Sequence, residues 1–423
     1  MKNTKETLVF GFALFAGFFG AGNLILPPFL GFNAGPDWWL VSLGFLATAT
    51  VIPLLAIAAH ARLQGTMFDF GKKVSSLFSA VFCFILLAIA ITLPCPRTAA
   101  VTHEIAIAPF FGSKSVYTSI VYFSLVFLFV INRTKVLDII GKFLTPIILT
   151  ILFAIILIAL TSPVIQMNNA SINTPIINGL LEGYQTYDAI AGVIMGGVVL
   201  MSLNKVLPNL NTSEKRTIIW HSGIIAMFGL FIVYIGLVFV GAKYNMQFHK
   251  DISRTDLLLG VANITLGKYG ATALGVLVAL ACFTTAVAII ISVADFFKVY
   301  FSKSKNTYTL TAIVCCVLGI FIGVMDVKYI IDVALPILML VYPICIVLIL
   351  LNILPEKWNS QLVFRWVVLV TLLFSIPDCL GFIINADWIT EIQHIIPFGT
   401  KNLGWILPAI LSFTSVNLYE RLS

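Results

Sequence analysis

GFFGAGNLILPP, residues Gly17 to Pro28, lies inside an apolar run that begins near Thr7. Its glycines, its amide Asn23 and its Pro-Pro pair are poor material for a continuous helix. In water such a stretch would be a loop. In hydrocarbon, a chain that leaves the helix strands N–H and C=O groups, each at a cost of several kcal/mol unless protein or a polar cavity receives them. The fold therefore turns on which solvent surrounds this segment.

Composition answers that. The 423 residues are 60% hydrophobic and 10% charged, with a mean hydropathy of +1.05. A soluble chain carries about 25% charged residues. Ala80–Leu93, Ser119–Ile131 and Pro146–Leu160 are almost wholly apolar, and several runs approach the ~20 residues that cross a bilayer. The chain reads as an all-α polytopic membrane protein that excludes a water-filled surface. The net charge of +7 is scattered over short loops rather than gathered in a stripe, which argues against nucleic acid. The seven cysteines fall in or beside apolar spans without metal or redox spacing and read as reduced packing residues. MKNTKETLVF lacks a small-residue cleavage site after its first apolar run, so the N-terminus reads as a retained first helix.

Apolar runs between polar or Pro/Gly breaks make about twelve spans. They start near Thr7, Asp37, Ser76, Ser115, Val136, Thr174, Thr217, Gly267, Tyr308, Tyr329, Val363 and Leu403. With both termini inside, about two-thirds of the Lys and Arg residues fall on the cytoplasmic side, as the positive-inside rule requires. Between Lys243 and Lys268 the chain is polar and then apolar for too short a run to span. We read it as an external loop carrying a short surface helix; a disordered loop is the other reading.

A second interrupted span, INGLLEGYQTYDAIAGVIMGGVVLM, starts near Ile177 and holds Glu182, Gln185, Thr186 and Asp188 among apolar residues. It is the sixth span, five after the first. An odd offset reverses orientation, so two five-span halves would be related by a pseudo-two-fold in the membrane plane, the inverted-repeat plan of secondary transporters. One single domain is expected, with repeat one over residues 7–160, repeat two over 174–352 and additional helices over 363–418. In such plans, freed carbonyls coordinate a cation and half-helix N-termini receive a carboxylate. The glycines also suit close helix packing. In the eighth span Thr284 and Thr285 are adjacent hydroxyls in an apolar helix. Each can bond back to the preceding turn, or both, with carbonyls of the first span, can complete the all-oxygen shell that hard cations prefer. Arg97 pairs with Glu104, two turns on, or faces a substrate carboxylate; the ion pair is the preferred reading. Asp188 reads as a cap of the second half-helix. No convergent nucleophile or metal set occurs, so no enzyme is expected.

The motifs GAGNLILPP, TLPCPRTAAVTHEIAIAP, EGYQTYDA, ACFTTAVAIIISVADFF and LPILMLVYPICIVLIL stand in this order from Gly20 to Leu350, within a resemblance that runs from Gly11 to about Asn352. Together they closely resemble the bacterial branched-chain amino acid:cation symporter family, over nearly the whole chain. The resemblance implies a leucine-transporter type of fold, with spans one to five and six to ten as inverted repeats. It implies import of leucine, isoleucine and valine with sodium as coupling ion, no other cofactor, and a bacterial cytoplasmic membrane. It further implies sodium-binding carbonyls at Ala16, Phe19 and Ala281 with the hydroxyls of Thr284 and Thr285. Gly20, Ala21, Gly22 and Asn23 would line the substrate carboxylate, and Tyr184, Gln185, Thr186 and Tyr187 would offer carbonyls to the amino group. Proton-driven relatives of the wider fold place a lysine in the fifth span. Here that span has Lys142 alone, near its cytoplasmic start, which favours sodium over proton coupling. A non-transporting amino acid sensor is the remaining alternative, though loops and tails are too short for a signalling domain. Nothing in the sequence sets an oligomeric state.

Overall fold

The computed structural model describes residues 4–132, 144–163, 167–168, 172–301 and 306–422. Helices begin close to the starts expected from the sequence, except that the start near Val136 and Lys142 lie outside the described residues. The first interrupted span is α1 (Thr4–Phe18) followed by α2 (Ala21–Ala34). Then come α3 (Trp38–Leu46) and α4 (Ile52–Leu63), joined through a wide helical turn at Ala47–Val51. The next run is α5 (Ser76–Thr92), α6 (Pro94–Thr102) and α7 (Ala108–Phe111). It is followed by α8 (Ser115–Ile131) and α9 (Thr145–Thr161).

The second interrupted span is α10 (Pro175–Tyr184) with α11 (Asp188–Val206). Beyond it lie α12 (Thr212–Lys243), α13 (Arg254–Leu266), α14 (Gly270–Tyr300), α15 (Thr307–Ile322) and α16 (Val327–Ile353). The chain finishes with α17 (Gln361–Leu380), α18 (Asp387–Ile395) and α19 (Ile406–Leu422). The segment after Lys243 folds as helix α13; α18, with Ile395 exposed, is an amphipathic helix that the sequence reading passed over.

Among the described residues, six helical runs are long and apolar enough to cross a membrane, and a seventh if α10 and α11 count as one span bent by 42°. Three further apolar helices, Ser115–Ile131, Thr145–Thr161 and Thr307–Ile322, are shorter. Large apolar side chains face outward along these helices; Leu77 is 76% and Phe321 71% exposed. So broad an apolar exterior is far beyond what a water-facing surface carries, and it fits lipid.

The interior is a polar-spotted core around the two breaks. α2 packs on α12 at backbone distance, since a Cβ on Gly31 would stand 1.8 Å from the Val238 carbonyl oxygen. α10 packs as tightly on α3, where a Cβ on Gly179 would stand 2.2 Å from the Val41 carbonyl oxygen. These contacts hold α2 against α12 and α10 against α3 at backbone distance.

One expectation needs correction. Pro27 and Pro28 do not make the first break; both are carried inside α2. The helix stops at Phe18, and it restarts at Ala21 after Gly20, whose φ of −123° and ψ of −159° are extended.

Candidate functional site

The first break works through one diverted hydrogen bond. In a continuous helix the Gly20 N–H would bond to the Ala16 carbonyl, four residues back. Instead it donates to Asn23 Oδ1 at 3.2 Å, which caps α2. The Ala16 carbonyl is thereby released. Thr284 Oγ1 lies 3.2 Å from it and 2.9 Å from the Ala281 carbonyl oxygen, with one hydroxyl proton to share between them. Thr285 Oγ1 lies 3.4 Å from the carbonyl oxygens of both Ala16 and Gly17. Five oxygens from two helices are thus gathered in a buried cluster, Thr284 being fully buried. Phe19 is also buried at the break, with its N–H on the Phe15 carbonyl at 2.8 Å, but neither threonine bonds to its own carbonyl. Gly17 is a member of this group that the sequence reading missed; its carbonyl carries no side-chain signal.

The second break is a tight turn. Gln185, Thr186 and Tyr187 donate their N–H groups to the carbonyls of Glu182, Gly183 and Tyr184 at 3.1, 3.2 and 3.1 Å. Tyr187 then takes φ 63°, ψ 11°, the left-handed region, which is unusual for a bulky non-glycine residue. Such an outlier persists only where its surroundings over-determine it. Here the ring is buried under the Arg97 guanidinium, 5.1 Å from its centroid.

A cavity lies between the two breaks. Gly20, Ala21, Gly22 and Asn23 line one side, and Thr186, Tyr187 and Asp188 the other. Ile190, Ile194, Met195 and Ile289 supply an apolar wall, Arg97 enters from α6, and Thr285 joins the cavity to the oxygen cluster. Two of the residues expected here lie elsewhere. Tyr184 stacks on Tyr342, with ring centroids 4.3 Å apart. Gln185 turns its side chain to Glu182 Oε2, at 2.9 Å, while its carbonyl accepts from Arg97 Nη2 at 3.0 Å.

The two breaks are tied to each other. Asn23 Nδ2 donates to Asp188 Oδ2 at 2.8 Å and to the Tyr234 hydroxyl, and that hydroxyl donates to Asp188 Oδ2 at 3.0 Å. Asp188 is therefore not a helix cap. Its carboxylate reaches across to the other half-helix, and its N–H is received by Thr186 Oγ1 at 3.2 Å. Tyr234, unmarked in the middle of an apolar span, was not legible as a site residue.

The expected ion pair of Arg97 with Glu104 is also absent. Glu104 Oε1 accepts from the Val327 N–H at 3.0 Å, where it caps the start of α16, so its carboxylate is already committed. The ion pair formed between described residues is Arg254 with Glu182. Arg254 also lies 3.5 Å from Gln185 Oε1 and 4.9 Å from the Phe29 ring centroid, tying α13 to both half-helices beyond the cavity.

Solved structures of the same fold include transporters. The chain matches Mhp1, a nucleobase-cation-symport-1 family transporter in a closed conformation with bromovinylhydantoin bound, at a TM-score of 0.66 and 13% identity over 98% of this chain and 92% of that one. It matches MhsT in complex with L-phenylalanine at a TM-score of 0.57 and 13% identity, over 97% and 98% of the two chains. Among sequences, it is 31% identical to the branched-chain amino acid transport system 2 carrier protein of Pseudomonas aeruginosa, over 99% of this chain and 96% of that protein. It is 32% identical to the branched-chain amino acid permease BraB of Bacillus subtilis, over 96% and 94%. The family model described as branched-chain amino acid transport protein matches residues 3–422. These relatives are carriers and permeases, not enzymes, and the chain belongs to the branched-chain amino acid transport protein family.

Proposed function

We propose that this protein imports leucine, isoleucine and valine together with sodium across a bacterial cytoplasmic membrane by alternating access. The observation that carries the reading is the oxygen cluster of Ala16, Gly17, Ala281, Thr284 and Thr285, adjoining a cavity with an apolar wall. Neighbouring oxygens 2.9–3.4 Å apart match the edge of a compact shell with metal–oxygen distances of about 2.4 Å, the range of a hard cation of calcium's size. Sodium is such an ion. Phe19, two residues beyond Gly17, is the further carbonyl we assign to the shell.

The amino acid would lie between the half-helices, with the N-terminal amides of α2 toward its carboxylate and the cavity-lining Thr186–Tyr187 part of the second break toward its ammonium group. Thr285 connects ion and substrate, so occupancy of one would favour the other through shared ordering of α1 and α14. We assign twelve spans, both termini inside, with repeat one over residues 7–160, repeat two over 174–352, and α17 and α19 outside the repeats. Inward release would follow rocking of the half-helices against their supports. A sodium gradient and potential supply ~2.3 kcal/mol per charge per 100 mV.

Competition tests the substrate assignment. In proteoliposomes with an inward sodium gradient, unlabelled leucine, isoleucine and valine each displace labelled isoleucine, while charged amino acids do not. Uptake that follows a pH gradient, with sodium without effect, would replace the sodium coupling by proton coupling. Binding without uptake under any gradient would make the protein a sensor.

A further inference from the structure

Among the described residues, Arg97 is a buried charge with most of its donors unused. It sits on α6 at 2% exposure, lining the cavity between the two breaks. Nη2 donates to the Gln185 carbonyl at 3.0 Å. Nε and Nη1 find no hydrogen-bond partner among the described residues. Neither Glu104, bonded to Val327, nor Asp188, bonded to Asn23 and Tyr234, forms an ion pair with it. A guanidinium held dry with most of its donors unused is strongly unfavourable unless something anionic meets it.

Its position is also reserved. A Cβ on Gly22 would stand 2.2 Å from Arg97 Nη2, so the glycine makes room for the guanidinium beside the first turn of α2. An anion there would meet both the planar fork of Arg97 and the N-terminal end of α2. Across the cavity the Asp188 carboxylate stands at the first position of α11. One buried cation, one buried anion held apart from it, and the apolar wall of Ile190, Ile194, Met195 and Ile289 complement a zwitterion with an aliphatic tail.

We propose that Arg97 is the receptor for the substrate carboxylate and that Asp188 faces the substrate ammonium group. The inference deepens the proposed function and rests on it, for it names which charges hold the amino acid. It differs from a site built of backbone groups alone, because recognition would fail with the side chain of α6 while the half-helices stay intact. A purely structural role, pinning the Gln185 carbonyl and covering the Tyr187 ring, would still leave Nε and Nη1 without an acceptor.

Equilibrium binding of leucine and leucinamide to the purified protein tests this, at mildly acidic pH where both carry an ammonium group. Leucinamide keeps the side chain and the amine but has no negative carboxylate. Wild type is expected to prefer leucine. Arg97→Gln is expected to weaken leucine by roughly ten- to hundredfold, the value of a charge-assisted hydrogen bond, and to leave leucinamide about unchanged. The preference would then collapse. Arg97→Lys, which keeps the charge without the fork, is expected to recover part of it. Should Arg97→Gln fail to fold, Gly22→Ala, which crowds the guanidinium out of its place, is expected to give the same collapse. Asp188→Asn is expected to weaken leucine more than 4-methylpentanoate, which has no ammonium group, and an equal loss for both would overturn the assignment of Asp188.

Equal loss for leucine and leucinamide in Arg97→Gln would overturn the proposal, as would a preserved preference. Equal affinities in wild type would overturn it without any variant. In each of these cases leucine still binds, so the transporter reading survives. Failure of wild type to bind leucine at all would sink both.

Discussion

Asn23 Nδ2 lies 2.8 Å from Asp188 Oδ2, a direct bond between the second half of the first interrupted span and the second half of the sixth. The same asparagine receives the Gly20 N–H on its other side-chain atom, at 3.2 Å. One side chain thus caps α2, frees the Ala16 carbonyl for the threonines, and ties the two breaks together. Replacing it disturbs all three.

Asn23→Ala is therefore expected to lower stability by about 1–3 kcal/mol, from the lost cap and from a buried carboxylate that loses one of its side-chain donors. Thermal unfolding in detergent checks this. Tyr234→Phe, which spares the cap, should cost less. A neutral Asn23→Ala would mean that the bond contributes nothing to holding the breaks in register.

At the oxygen cluster, Thr284→Val and Thr285→Val keep the side-chain volume and remove a hydroxyl. Each is expected to weaken sodium activation of isoleucine uptake by about tenfold, one lost ligand being worth roughly 1.5 kcal/mol. Folding should be retained. The sodium concentration for half-maximal uptake is the readout. Unchanged activation in both variants would place the ion elsewhere.

Tight support of the half-helices makes a steric prediction. Gly31→Ala would put a Cβ 1.8 Å from the Val238 carbonyl oxygen, backbone that has no way to yield without moving a helix. Overpacking of this kind costs about 1–3 kcal/mol. Reduced yield and a lower melting temperature are expected, with binding impaired because α2 carries Gly22 and Asn23. Gly112→Ala, at a position where a Cβ meets no neighbour within 4 Å but φ is +55°, is expected to cost about 1 kcal/mol through backbone strain alone.

The tie between Arg254 and Glu182 joins α13 to α10, and Arg254 also covers the Phe29 ring of α2. Both side chains are partly exposed, at 21% and 15%. Glu182→Gln is expected to change stability little, since a partly solvated pair contributes about 0–1 kcal/mol. It should instead loosen the cover over the half-helices. Faster thiol labelling of an Ala191→Cys reporter in the cavity would register that, and an unchanged labelling rate would count against a covering role.

Much of this was legible because irregular residues are conspicuous in an apolar chain. Gly20, Asn23, the Gln185–Asp188 turn and the Thr284–Thr285 pair stand out against their surroundings, and each lies at a break or at the oxygen cluster. What escaped was whatever depends on partner choice. Arg97 and Glu104 have a helical spacing that permits pairing, but the helix carries a wide turn at His103–Ile107, and Glu104 goes to Val327 instead. Pro27 and Pro28 looked like the break, yet the capping bond of Asn23 sets it earlier and lets α2 run through them. Tyr234 and the apolar wall had no signal at all, since a tyrosine or an isoleucine in a membrane span is ordinary until its neighbours are known.

The most direct measurement is radiolabelled isoleucine uptake into proteoliposomes under an inward sodium gradient, for wild type and for Thr284→Ala/Thr285→Ala. Sodium-dependent uptake is expected in wild type, far above that in potassium, and is expected to be lost in the double variant with the fold intact. Sodium-driven uptake that survives loss of both hydroxyls would contradict the placement of the ion at α1 and α14, and with it the coupling through the broken helix.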